Sequence, residues 1–444
     1  MAQDFLVTPA APAYPRSGPA TPTWAERYAA IGLFGVFFMS LVMLHVIQRL
    51  RPGDELSGDG DVLRQAGYVL AFIWTIAALR VPANLQRLLV IPASFIALLV
   101  WCWISLSWSV EPAIAFRRLV LTTIIVITIF LAVDRAGTHR SITVIRNLLL
   151  AVLVANYVAV FIIPTGVHLP GESGDTNLVG NWRGFMLHKN FAGPTAAITI
   201  LFLAFGGRGI NRWVKLGLVA AAAYFLYRTH SKTSLGLLVP ALLLGWTYLA
   251  FGARRLRLVV PFLVLAVIIA LVGYGGELAA IIDINETPDA LSGRGSIWPI
   301  LIEYANAHPV TGAGFGSFWN IGPDSPVFGL AASWVATLGN GHNGYLDTLT
   351  QLGYPGLIMA AGAVVLLPGW RLVTDTRIHD TTGALLLSLL VFCAFHNLTE
   401  TSLLDRDVGI WLFMVFVVAG IGKASREGAL VRSGLPRGQR DVAQ

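Results

Sequence analysis

GRGSIWPILIEYANAHPVTGAGFGSFW, from Gly293 to Trp319, and GHNGYLDTLTQLGYPG, from Gly341 to Gly356, lie within residues 274–356. That segment is the one long polar interruption in an otherwise apolar chain. On both sides of it, apolar runs of about 18–20 residues recur from Ile31 to the C-terminal region, the length that crosses a bilayer. The 444 residues are 55% hydrophobic and 12% charged, with mean hydropathy +0.69. Soluble domains carry about 25% charged residues, so the pattern excludes a soluble globule. It predicts an all-α polytopic membrane protein with one inserted loop.

About twelve spans are predicted, at 29–48, 63–79, 88–107, 118–133, 143–163, 191–206, 213–229, 234–251, 257–273, 343–367, 384–399 and 408–422. Residues 1–28 read as a disordered tail, 29–422 as the membrane domain and 423–444 as a basic tail. With both termini in the cytoplasm, most of the 31 Lys and Arg face the cytoplasm, as the positive-inside rule expects. The bias is sharpest in the tight loops Arg208–Lys215 and Arg254–Arg257. The long loop 274–342, between spans nine and ten, then lies outside, with 164–190, the 228–233 turn and 397–407. No internal repeat is visible.

Cys102 and Cys393 sit far apart inside apolar runs, which suits buried thiols rather than a disulfide framework. The net charge of +7 is dispersed over short loops, so it reports topology and not nucleic-acid binding. No nucleotide, zinc or dinucleotide fingerprint occurs. Asp405-Arg406-Asp407 is a lone Asp-x-Asp match, more often a loop charge cluster than a Mg²⁺ site. No metal or cofactor is expected.

The basic residues on the outer side break the inside bias and need a second explanation. Arg49, Arg51 and Arg64 lie among Asp54, Glu55, Asp59 and Asp61, which would neutralise them. Arg117, Arg118, Arg183, Lys189, Arg228, Lys232, Arg294 and Arg406 lie mostly near span ends with few acidic neighbours, as a site for an anionic headgroup or diphosphate requires. Arg294 stands at the entrance of a short helix predicted through Ala307, with Ser292 or Ser296 as cap and Pro299 in the first turn. Ile297, Ile300, Leu301 and Tyr304 give that helix an apolar face. A surface pair of Arg294 with Glu286 or Asp289 is the alternative.

His342 and Asn343 precede the next span at a helix N-terminus, where free N–H groups and the dipole suit a phosphate. His342 is positioned there to accept a proton; an interfacial histidine or helix cap is the bland reading. Gly353, Pro355 and Gly356 follow at a depth of roughly 16–21 Å, where a kink would open a cavity or small residues would merely pack helices. Arg183 and Gly184-Phe185-Met186-Leu187-His188-Lys189-Asn190 lead into an apolar run, and Arg228-Thr229-His230-Ser231-Lys232-Thr233-Ser234 form a polar turn. Adjacent Ser231 and Lys232 do not face one another on a helix, so substrate contacts fit better than a serine–lysine hydrolase pair.

These motifs resemble the bacterial O-antigen ligase/polymerase superfamily, and within it the exopolysaccharide polymerases. The resemblance covers roughly 90–420. Gly184 to Asn190 is similar to the Gly-x-x-x-His-Lys-Asn signature of that branch, and Ser231-Lys232-Thr233-Ser234 stands where the family has Ser-Arg/Lys-Thr/Gly. Arg294-x-x-x-Trp298 through His308-Pro309-x-x-Gly312-x-Gly314 resembles the outer-loop pattern, and His342 to Gly353 has the family spacing.

The resemblance implies a lipid-linked-sugar glycosyltransferase fold in the bacterial inner membrane, with the active site facing the periplasm. It also implies metal-independent, inverting transfer from an undecaprenyl-diphosphate-linked glycan donor to a glycan or lipid-linked acceptor, with a chain-length regulator as a further partner. By that analogy His342 and Arg294 are catalytic. Arg183, His188, Lys189, Asn190, Arg228, Lys232, Asn343 and Arg118 would bind substrate. Ligases have arginine where this chain has Lys232, and lysine makes no bidentate contact, which leans towards a polymerase. Ligation to a lipid or protein acceptor, or a polysaccharide or lipid transporter, are the alternatives. A transporter would place its site at the midplane with repeat symmetry, which the sequence lacks.

Overall fold

A computed structural model describes residues 23–50, 60–172, 176–251, 294–330 and 334–433. These form helices α1 (Trp24–Leu50), α2 (Val62–Ala78), α3 (Ala93–Trp108), α4 (Pro112–Ala136), α5 (Thr138–Ile162), α6 (Lys189–Gly206), α7 (Arg212–Thr229), α8 (Lys232–Phe251), α9 (Arg294–Ala307), α10 (Gly344–Thr374), α11 (Asp380–His396) and α12 (Gly409–Arg432). Among the described residues the only β-type pairings are two isolated bridges. The protein is an all-α polytopic membrane protein, since an isolated helix satisfies its own backbone polar groups in lipid.

Helices stand at each predicted span position except 257–273, which lies outside the described residues. Six of them, α1, α4, α5, α8, α10 and α12, are long and apolar enough to cross a membrane on their own. Helices α2, α3 and α11 are apolar but shorter. A capping box between Thr23 and Glu26 starts α1 at Trp24, and α12 continues to Arg432.

Helix α12 is the most enclosed of the six. Its run from Ile410 to Ile421 is apolar and buried throughout, as befits a helix surrounded by others. Helices α4 and α11 pack on it, α1 packs on α4, and α6 packs on α7 and α11. The two ends of the bundle differ in chemistry. One carries the pairs Arg140–Glu26, Arg426–Asp134 and Arg377–Asp375. The other gathers the loops around residues 164–190, 228–233, 294–342 and 397–408, which bond to one another.

Arg49 at the end of α1 shows how those loops are tied. It donates to the Thr165 hydroxyl at 2.6 Å and to the carbonyls of Gly184 and Met186 at 3.3 and 2.5 Å. Arg64 pairs with Asp407 at 3.3 Å. Of the acidic residues expected near these arginines, Asp61 accepts from Arg64 N–H at 2.7 Å, and Arg51, Asp54, Glu55 and Asp59 lie outside the described residues; helix packing adds partners that sequence separates.

Helix α9 starts at Arg294 and buries Ile297, Leu301 and Tyr304 against Phe318, Trp319 and Val335, so its predicted apolar face covers a small core of the loop itself. The loop then docks on α10, which breaks at Gly353 with φ +65 and ψ −176. There Tyr354 N–H donates to the Pro309 carbonyl at 2.8 Å, and Ala313 N–H to that of Thr350 at 2.9 Å. The kink is therefore a backbone socket for the loop. A β-carbon at Gly353 would lie 2.4 Å from the Val310 carbonyl oxygen in a left-handed conformation, which only glycine adopts freely. Gly353→Ala is expected to lower stability by about 1–3 kcal/mol, read as a lower melting temperature of the detergent-solubilised protein. Gly362→Ala, at a helical φ of −61 where a β-carbon meets nothing within 4 Å, should leave it unchanged or raise it slightly.

Candidate functional site

The loop after α11 is shaped by Asn397, which is fully buried. Its amide donates to the Cys393 carbonyl at 2.8 Å, and its oxygen accepts from Ser402 and Leu403 N–H at 3.0 and 2.7 Å. Gly344 N–H donates to the Asn397 carbonyl at 2.8 Å, which seats the start of α10 on the same loop. Asp347, 1% exposed, is the second organiser. Its carboxylate accepts from Trp319 Nε1 at 2.8 Å, from Gly341 N–H at 3.0 and 3.1 Å, and from the Thr401 hydroxyl. A buried carboxylate is tolerable only when so bonded. It fixes Gly341 immediately before His342.

This scaffold presents Glu400. Its Oε2 accepts from His342 Nδ1 at 3.1 Å. Its Oε1 accepts from Arg294 Nη2 at 3.1 Å and Asn190 Nδ2 at 3.0 Å. Arg294 also donates to the Thr399 carbonyl from Nη2 and Nε at 2.6 and 3.1 Å. The Thr233 and Thr399 hydroxyls lie 3.2 Å apart, so the Ser231–Ser234 turn reaches the same corner. Four separate sequence motifs therefore converge on residues 399 and 400. Burial pushes the Glu400 carboxyl up, but the His342 bond and the charges of His342, His396 and Arg294 outweigh it and hold the group below the usual glutamate range.

A cavity of about 260 Å³ opens beside Glu400 and descends between α1, α6 and α12. His188, Asn190, Asn340, His342 and Thr401 are its polar lining, and Leu41, Ile198 and Phe413 are part of its apolar lining. A π-type turn at Met39–Met43 breaks the regularity of α1 beside it, a feature frequent at functional sites. There Ser40 donates to the Asp407 carbonyl at 2.6 Å. His342, with φ +50, sits one residue before the Asn343 cap. Its Nδ1 is committed to Glu400, which leaves Nε2 as the acceptor.

The residues expected from sequence divide. His342, His188 and Asn190 line the cavity, and Arg294 stands against Glu400 without lining it. Asn343 caps α10, accepting from Tyr345 and Leu346 N–H at 3.0 and 3.1 Å. His188 caps α6 through Asn190 N–H at 3.2 Å, and burial first, with Lys189, Arg183 and His342 adding, lowers its pKa to about 4 against the pull of Glu400. Arg183 braces the 164–190 loop, donating to Glu172 at 2.7 Å and to the Thr165 carbonyl at 2.8 Å. Arg228 lies 4.6 Å over the Trp182 ring. Arg118 is buried, holding the carbonyls of Gly316, Trp319 and Asn320 at 2.5, 2.8 and 2.6 Å. Lys232 is exposed on its turn, and Lys189 opens α6.

Glu400 and Thr399 were not expected. Their only signal in the sequence is a lone glutamate in a short polar loop on the same predicted side as Arg294 and His342. In the Asp-x-Asp segment, Asp407 pairs with Arg64 at 3.3 Å and Asp405 with Arg406 at 3.6 Å. Among the described residues no three His, Cys, Asp or Glu side chains are grouped to hold a metal ion.

Comparison with known proteins yields no match among curated sequences. Residues 216–361, roughly a third of the chain, match the model of the O-antigen ligase family. The match contains Arg228, Lys232, Arg294 and His342. Over this segment the chain is similar to the O-antigen ligase/polymerase superfamily, which supports a glycan-transferring membrane enzyme.

Proposed function

We propose that this protein polymerises undecaprenyl-diphosphate-linked oligosaccharide repeat units at the periplasmic face of the bacterial inner membrane, with about twelve crossings of the bilayer. The observation that carries the reading is the convergence of Arg294, His342 and Asn190 on Glu400 at the mouth of a cavity. In the proposed step the acceptor hydroxyl oxygen attacks the anomeric carbon of the donor sugar. The bond from that carbon to the diphosphate oxygen breaks with inversion, and the diphosphate leaves with the electron pair. The hydroxyl proton passes to His342 Nε2. Glu400 is the positioning residue: it fixes the tautomer and ring orientation of His342 and the guanidinium of Arg294.

Arg294 and Lys232 would meet the diphosphate from either side of Thr399, which the Lys232 turn approaches through Thr233. A diphosphate is already a good leaving group, so pre-placed cations matter more than a general acid. Arg183, Arg228 and Arg118 serve this site through the loops they brace. Lys189 and His188 flank Asn190 at the start of α6. Transfer to a lipid or protein acceptor is the same chemistry with a different nucleophile, and the presence of Lys232 rather than arginine supports polymerisation.

Purified protein incubated with lipid-linked repeat unit, without nucleotide or added metal, should yield products of several repeats. A single transfer to a different acceptor would make it a ligase, and no transfer would sink the enzyme reading. His342→Ala should reduce polymer formation by roughly 10²–10⁴-fold, the usual worth of a general base, and Arg294→Ala should abolish detectable chain growth; both should leave membrane insertion normal. Unaltered chain-length distributions in both variants would refute the mechanism. Glu400→Gln should lower kcat/KM by about 10–100-fold, as for other orienting partners.

Glu400 also gives a pH test of stability. Its folded pKa lies below the unfolded one, so its contribution is complete above the unfolded glutamate value and vanishes as pH falls through the lowered folded value. The melting-temperature difference between wild type and Glu400→Gln should stay constant from neutral pH down to the ordinary glutamate range and close below it. A difference already lost near neutral pH would contradict the assignment.

A further inference from the structure

Two polar atoms beside Glu400 have no part in the chemistry above, His188 Nε2 and Asn340 Nδ2. Both side chains are partly exposed and line the cavity with His342. Neither atom bonds to the described residues, and neither is one of their buried unpaired atoms, so each has surface open to a ligand. One device holds both side chains. His188 Nδ1 accepts from Asn190 N–H at 3.2 Å, and Asn190 Nδ2 donates to Glu400 Oε1 at 3.0 Å. Asn340 Oδ1 accepts from His342 N–H at 3.1 Å, and His342 Nδ1 donates to Glu400 Oε2 at 3.1 Å. In each case a side chain takes the N–H two residues on, and that second residue is tied to the same carboxylate. His168 packs edge-on against the His188 ring at 4.8 Å, and Asp347 fixes Gly341 between Asn340 and His342.

The backbone bonds fix the chemistry of the two atoms. A ring nitrogen that accepts an N–H carries no proton, so the neutral His188 ring holds its proton on Nε2 and donates from there. Burial first, with Lys189, Arg183 and His342 adding, keeps that ring neutral against the pull of Glu400, its pKa lowered to about 4. An amide whose oxygen accepts has its NH2 group left over, so Asn340 Nδ2 is a donor too. His342 is the converse: its Nδ1–H goes to Glu400 and its Nε2 accepts. The cavity thus sets two neutral donors beside a proton acceptor. A saccharide hydroxyl gives and takes hydrogen bonds and calls for donors and acceptors alike, whereas a phosphoryl oxygen only accepts. The positive charges of Lys189 and Arg183 act at the His188 ring, and the opposing Glu400 charge is met by Arg294 at 3.1 Å. An oxygen that carries negative charge fits these surroundings better than a neutral one.

We propose that His188 Nε2–H and Asn340 Nδ2–H donate to the diphosphate oxygen that leaves the anomeric carbon. As that C–O bond breaks, the oxygen takes the electron pair and gains charge, and both hydrogen bonds strengthen. Neither donor gives up its proton; the proton in motion passes from the acceptor hydroxyl to His342. The inference deepens the transferase reading and rests on it. Arg294 and Lys232 supply charge to the diphosphate as a whole, and the neutral pair picks out the oxygen on which charge develops.

The test uses the full chain in lipid nanodiscs and substitutions that keep each backbone bond. His188→Asn retains a helix cap, and Asn340→Ser retains an oxygen for His342 N–H; both lose the donor that faces the cavity. Each should lower kcat with lipid-linked repeat unit by about 10²–10³-fold, as for the loss of one such donor elsewhere. KM should change little and the melting temperature should stay that of the wild type. A sugar-free polyprenyl diphosphate, in which that oxygen is already charged, should inhibit both variants roughly tenfold less. The methyl glycoside of the repeat unit, a mimic of the acceptor, should bind as before. His188→Gln carries an NH2 group towards the place of Nε2 and should recover part of kcat. Wild-type kcat in His188→Asn and Asn340→Ser would overturn the proposal and leave both residues as caps. So would weaker binding of the methyl glycoside with unchanged inhibition by the diphosphate, which would assign the donors to the acceptor. A loss of kcat that follows a lowered melting temperature, and that His188→Gln does not relieve, would overturn it too. If the wild type makes no product, the transferase reading fails as well; if it transfers and the variants keep pace, only the donor pair fails.

Discussion

One partly buried carboxylate holds the site together. Glu400 bonds an arginine from the start of α9, a histidine from the start of α10 and an asparagine from the start of α6. These arise from segments that are otherwise independent. The arrangement is stable because the opposing terms are matched: burial disfavours the charged carboxylate, while the His342 bond and the nearby Arg294 charge favour it more. Removing one member of such a cluster leaves an uncompensated buried charge, which is far more costly than the net worth of the pair.

Around Glu400, backbone geometry does what side chains alone would do loosely. Asn397 closes the loop on itself with three bonds, and Asp347 pins Gly341 from the far side of His342. Gly353 lets α10 break where the α9 loop must lie against it, backbone on backbone. Carboxylate, amide and glycine each solve a different part of one problem, how to fix a polar loop to the end of an apolar bundle. The result is that Arg294 and His342 are held beside the starts of α9 and α10.

Beside the ion-paired Arg64 and Arg406, further basic residues at this end of the bundle fall into two groups. Arg49, Arg118, Arg183 and Arg228 spend their charge on carbonyls, on Glu172 or on an aromatic face. Arg294 borders the Thr399–Glu400 corner, and Lys232 stands exposed beside Thr233, which meets Thr399. A shortage of nearby acids in sequence therefore did not mark a substrate clamp in every case. Arginine is as apt to tie loop carbonyls together, since its planar fork satisfies several acceptors at once.

By itself the sequence determined the membrane class, the helix positions and the motifs at residues 183–190, 228–234, 294 and 342. These follow from hydrophobic run length and from local residue spacing, which folding does not alter. It also located the interruption at 353–356, because glycine and proline act on their own backbone. Only the tertiary structure decided that Glu400 is the hub, that Arg64 pairs with Asp407, and that His188 shares a cavity with His342. Those relations join residues tens to hundreds of positions apart. Which buried groups face one another depends on how the helices pack, and a one-dimensional pattern of apolar and charged residues does not encode the rotation of each helix about its axis.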